Sequence, residues 1–150
     1  MLKFESFEDV LDFAILQEQA AQEFYKSIST QVKDPSVQEF YRLLVAEETN
    51  HEEKLRTLKR YAYAMRKPDL KDLVESGYLD ALPIPPDISF KEAIKFALDK
   101  ERSARQLYTI LADLSEREEL EQLFRLLASQ EMEHIRYFQR EYEAIQLAEN

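Results

Sequence analysis

Two tetrapeptides in this 150-residue sequence have the residue types and spacing to hold a metal. They are Glu48-Thr49-Asn50-His51 and Glu131-Met132-Glu133-His134, both of the form Glu-x-x-His. On a helix, positions i and i+3 share a face with Cβ atoms about 5–6 Å apart, so a carboxylate and an imidazole can reach one cation. These are the only histidines in the chain. Two further glutamates interrupt helical faces that are otherwise apolar. Glu18 lies among Ala14, Ile15, Ala21 and Tyr25, and Glu101 among Ala97, Leu98, Ala104 and Tyr108. Taken singly these signals are weak, because a glutamate is more often solvated and a histidine can serve a hydrogen-bond network. A repeat ties them together. Offset by 83 residues, positions 6–61 align with 89–144 without a gap and 12 of the 56 pairs are identical. Glu18 pairs with Glu101, Tyr25 with Tyr108, Glu48 with Glu131 and His51 with His134. Shared amphipathic periodicity accounts for matched Leu and Ala, but it does not pair the two histidines of the chain with each other.

The elements that must position these residues are marked by sparse punctuation. Ser6-Phe7-Glu8-Asp9 reads as an N-cap with acids in the first turn, opening a helix that runs to about Thr30. Asp34 and Pro35 supply the next cap and first helical position, and a second helix runs from about Pro35 to Arg66, before Pro68. Residues 67–88 hold four of the five prolines and the only glycine, which suggests one short helix near 70–75 and then an extended crossover. Ser89-Phe90-Lys91-Glu92 is a capping box for a third helix ending near Asp113. Ser115-Glu116-Arg117-Glu118 reads as a second box, opening a fourth helix that lasts nearly to the C-terminus. The expectation is an all-α four-helix bundle built of two repeated antiparallel helix hairpins joined by a long crossover, forming a single domain over 1–150. Phe24, Phe40, Tyr41, Leu44, Phe124 and Leu127 are expected in its core. Glu47, Glu52, Glu53, Glu116, Glu118 and Glu119 are expected on a solvated face.

Register brings the chemistry together. Glu18 and Glu48 each lie 15 residues from the turn near Lys33, and Glu101 and Glu131 each lie 15 from Glu116. All six groups are thus expected at one level of the bundle. Buried anions need compensating charge, and two divalent cations would supply it. Carboxylate oxygen with imidazole nitrogen suits iron or manganese.

Composition removes competing classes. A formal charge of −10, from 30 acids and 20 bases, opposes a basic face for nucleic acid or anionic lipid. With no cysteine there is no disulfide framework, thiolate metal site or nucleophilic thiol, and a reducing cytoplasm is the expected location. A single glycine excludes a glycine-rich phosphate loop. No apolar run approaches the roughly 18 residues of a membrane span, and the N-terminus lacks a signal-peptide apolar core.

The motif set resembles the rubrerythrin-like branch of the ferritin-like di-iron carboxylate proteins, whose signature is Glu-x6-Tyr followed about 30 residues on by Glu-x-x-His, given twice. Here those are Glu18 with Tyr25, Glu48 with His51, Glu101 with Tyr108, and Glu131 with His134, and the resemblance spans about residues 6–144. It implies two iron ions, with manganese as the alternative metal. Glu18 and Glu101 would be terminal ligands, Glu48 and Glu131 bridging ligands, and His51 and His134 would bind one ion each. Tyr25 and Tyr108 would hydrogen-bond ligand carboxylates. The sequence departs from the family where rubrerythrins place an extra glutamate, at Ala104, and it lacks the four cysteines of a rubredoxin domain.

The function implied is an oxidoreductase that reduces peroxide or dioxygen with electrons from a separate donor protein. A ferroxidase or iron-storage role is the alternative, and a non-enzymatic metal-stabilised helical module is a third reading. A homodimer is the expected assembly on base rates.

Overall fold

A computed structural model of the protein describes residues 6–60 and 89–149. Among these residues the regular structure is helical. Helix α1 spans Phe7–Gln31, α2 Pro35–Leu58, α3 Phe90–Leu114 and α4 Glu118–Glu149. They form two compact units, α1 with α2 and α3 with α4. The expected crossover at 67–88, its short helix and the expected last turns of the second helix at 61–66 lie outside the described residues.

In the first unit, Ser6 Oγ accepts from the backbone N–H of Asp9 at 3.2 Å and so fixes the start of α1. The helix ends at Val32, where the chain turns extended. Asp34 Oδ1 then accepts from Ser36 N–H at 2.9 Å, and Pro35 opens α2 with the fixed φ that a first turn needs. Gln38 Nε2 donates to the Val32 carbonyl and ties the turn to the new helix. A three-residue connection can only fold α2 back along α1. On the inner face of α1, Val10, Leu11, Ala14, Ile15, Ala21, Phe24, Tyr25 and Ile28 are buried at helical spacing, with Glu18 in their midst.

The second unit repeats this plan with one difference. Ser89 Oγ accepts from Glu92 N–H at 3.1 Å, as the capping box requires. Ser115 does not cap α4. Its hydroxyl donates to the Leu111 carbonyl at 2.8 Å and its N–H to Ala112 at 3.2 Å, so it closes α3. Helix α4 therefore begins at Glu118, with Glu121 N–H donating to the Arg117 carbonyl at 3.0 Å. The serine satisfies one helix end and is not available to the next. Of the expected core stripe, Phe24, Tyr41, Leu44, Phe124 and Leu127 are buried. Phe40 is half-buried, with its ring edge-on to Tyr41 at 5.7 Å.

Candidate metal centre

Each unit buries one Glu/Glu/His triad. In the first, Glu18 of α1 and Glu48 and His51 of α2 have relative exposures of 2%, 2% and 0%. His51 Nδ1 lies 3.6 Å from Glu18 Oε1 and 3.8 Å from Glu48 Oε2. In the second, Glu101 of α3 and Glu131 and His134 of α4 are 3%, 1% and 5% exposed. His134 Nδ1 lies 3.3 Å from Glu101 Oε2 and 3.8 Å from Glu131 Oε2. The local reason is the one the spacing suggested. Glu48 to His51 and Glu131 to His134 are single helical steps of three, and the antiparallel partner helix brings its glutamate to the same level. The two units thus hold the same three groups in nearly the same arrangement, as a duplicated hairpin should.

The donor chemistry fits a metal ion. In each triad one ligand atom per residue can be chosen so that all lie within 4.8 Å of one another. Two donors bonded to one ion at about 2.0–2.2 Å are separated by roughly 2.8–3.6 Å, from octahedral to tetrahedral angles. The nitrogen-to-oxygen separations of 3.3–3.8 Å need only small side-chain adjustments to close on a cation. The histidine atom turned to both carboxylates is Nδ1. Two carboxylates and one neutral imidazole give each triad a charge of −2 when ionised, which one divalent cation cancels. Oxygen and nitrogen donors without thiolate suit iron and manganese.

Tyr25 and Tyr108 lie seven residues beyond Glu18 and Glu101 on the same helix faces, and both are buried. The Tyr25 ring packs against Tyr41 at 6.0 Å, and Tyr108 stacks on Phe124 at 6.4 Å. These pairs are equivalent under the repeat, so each half holds its tyrosine against an aromatic of the partner helix. Ala104, which replaces the extra glutamate of rubrerythrins, is half-buried.

One acid departs from its expected place. Glu52, one residue after His51, is not a solvated-face acid. It accepts from Gln22 Nε2 at 2.9 Å, Gln19 Nε2 at 3.1 Å and Arg56 Nε at 2.9 Å, while Thr49 Oγ1 donates to Gln22 Oε1 at 3.0 Å. Burial pushes the Glu52 carboxyl up, but the hydrogen bonds from Gln22, Arg56 and Gln19 and the Arg56 charge outweigh it, leaving the pKa below the ordinary value. The surplus acids Glu53, Glu116, Glu118 and Glu119 are exposed as expected, and Glu47 is half-buried.

Four helices in two hairpins, each with a buried pair of glutamates and a histidine, define the ferritin-like carboxylate class of metal proteins. Comparison with known proteins agrees. The family model for rubrerythrin matches residues 9–84 and 92–150, and the chain belongs to the rubrerythrin family. A hypothetical protein from Pyrococcus furiosus is similar in structure, with TM-score 0.73 and 26% identity over 93% of this chain and 89% of that one. A Thermotoga maritima protein described as ferritin-like and diiron-carboxylate matches with TM-score 0.71 and 20% identity over 95% of this chain and 98% of that one. No curated protein sequence matches the chain. The fold class is therefore all-α, a ferritin-like four-helix bundle, and the family together with the buried triads supports metal binding. No described helix is long and apolar enough to cross a membrane.

Proposed function

We propose that the protein is an oxidoreductase that uses two iron ions to reduce hydrogen peroxide, with dioxygen as a slower substrate and a separate protein as electron donor. The observation that carries this reading is the duplication of a complete, buried Glu/Glu/His triad. A single triad could be a structural metal site, whereas two in a rubrerythrin-family chain supply four carboxylates and two imidazoles, the donor set of a metal pair. When bound and reduced, an iron pair supplies the two electrons that convert hydrogen peroxide and two protons into two waters.

The chain's own residues have separable tasks. By the family resemblance Glu18 and Glu101 would serve as terminal ligands and Glu48 and Glu131 as bridging ones, while His51 and His134 would each offer one Nδ1. Four ionised glutamates would balance two divalent ions, and coordination would offset the cost of burying the carboxylates. The apolar residues around each triad limit water access. Tyr25 and Tyr108 hydrogen-bond ligand carboxylates and hold their orientation. Cytoplasmic placement and a homodimer complete the proposal, the first supported by the absence of cysteine.

Stopped-flow mixing of the anaerobic, ferrous protein with hydrogen peroxide or with dioxygen tests the reading. Oxidation faster with peroxide, repeated after each re-reduction without metal loss, is expected. Metal release without turnover would remove the peroxidase assignment. Retention of many irons per chain in a large assembly would replace it with iron storage.

A further inference from the structure

The repeat exposes a difference between the halves that the metal site does not explain. In the first unit the Glu52 carboxylate of α2, one residue after His51, is held by Gln19 and Gln22 of α1 and by Arg56. Moving by 83 residues converts Gln19 to Arg102, Gln22 to Arg105, Arg56 to Gln139, Thr49 to Met132 and Glu52 to Ile135. The donors persist and two of them become cationic, but the carboxylate they would hold is gone. At that place the second unit has an open cavity of about 630 Å³ between α3 and α4. Arg102, Arg105, Gln139, Met132, Ile135 and Ile110 are among the residues that line it. Arg102 and Arg105 are exposed, and neither forms an ion pair among the described residues. Ile135 is 3% exposed and forms an apolar floor.

We propose that this groove binds a small organic carboxylate with a short apolar body, which replaces from outside the side chain that Glu52 supplies in the first half. Arg102 and Arg105 take the carboxylate, Gln139 donates to it, and the body lies on Met132, Ile135 and Ile110. Arginine suits this role because its planar fork meets a carboxylate with two parallel hydrogen bonds. The cavity volume falls within the roughly 300–1,000 Å³ usual for small-molecule sites. Two arginines lining one cavity of a chain with net charge −10 also favour an anion locally where the protein as a whole repels it. The apolar floor favours an amphiphilic acid over a simple inorganic anion. The inference is independent of the metal and of the reaction proposed above.

Isothermal titration calorimetry and amide chemical-shift mapping of the full chain in EDTA test this, with hexanoate as probe and hexanol and inorganic phosphate as controls. The expected result is saturable binding of one hexanoate per chain, with shifts centred on residues 102–110 and 132–139. Binding should weaken at least about tenfold in R102Q/R105Q, whose exposed positions leave the fold intact by circular dichroism. I135E, which restores an internal carboxylate, should abolish it. No saturation by about 10 mM hexanoate would overturn the proposal. So would equal affinity for hexanol or phosphate, or an unchanged affinity in the folded double variant.

Discussion

Neutralising one ligand carboxylate should change stability in opposite directions with and without metal. Glu18 and Glu48 are buried, with ligand atoms within 4.8 Å of each other. Two ionised carboxylates at that separation repel by about 3.5 kcal/mol at an effective dielectric constant of 20. Glu18→Gln removes this repulsion while keeping the size of the side chain and an acceptor oxygen. In EDTA the variant should therefore be more stable than wild type by up to about 3 kcal/mol, or roughly 6–12 °C in Tm for a chain of this length. With a divalent ion at about 100 times its Kd, each occupied site adds about 2.7 kcal/mol to the wild type. A variant with one carboxylate fewer should lose most of that gain. Urea unfolding followed by circular dichroism at pH 7, with EDTA or with redox-inert Mn(II), gives both numbers. The order of stabilities should invert between the two conditions. If Glu18→Gln were less stable than wild type in EDTA by more than about 1 kcal/mol, Glu18 would be a structural hydrogen-bonding residue and the charge argument would fail.

Two other perturbations separate neighbouring roles. Tyr108→Phe should cost about 0.5–1.5 kcal/mol in metal-free stability, since the ring and its stacking on Phe124 remain, yet weaken metal binding by about 10–100-fold in competition titrations. Unchanged metal affinity would make Tyr108 only a core residue. Glu52 has a folded-state pKa below the ordinary value of 4.5, so its contribution to stability is complete above that value and is lost as pH falls through the lowered pKa. Wild type should therefore exceed Glu52→Gln in stability at pH 7, and the gap should close at more acid pH. A gap independent of pH would remove the carboxylate charge as its source.

The two buried Glu/Glu/His triads were legible in the sequence because duplication writes the same chemistry twice. His51 and His134 coincide under one offset together with Glu18/Glu101 and Glu48/Glu131, and the equal 15-residue spans to the two turns fixed their level on each hairpin. The helix starts at Phe7, Pro35 and Phe90 were legible for a similar reason, since their caps are local interactions between residues two or three apart. Ser115 was misassigned because a serine between two helices can serve either, and only the spatial position of Leu111 decides. Glu52 was misassigned because its partners Gln19 and Gln22 lie on the other helix, about 30 residues away, where helical periodicity carries no information. The groove at Arg102 and Arg105 was hidden for the same reason, and it became visible only by contrast with the hydrogen-bonded Glu52 of the first half.

Metal analysis is the sharpest test of the proposal that the two triads hold two metal ions. The full chain, reconstituted anaerobically with ferrous iron, desalted and assayed by inductively coupled plasma mass spectrometry, should retain two irons per chain. Glu131→Ala and His134→Ala should retain one or none while keeping their helical circular dichroism. Wild type retaining no iron, or variants that still retain two, would contradict the claim.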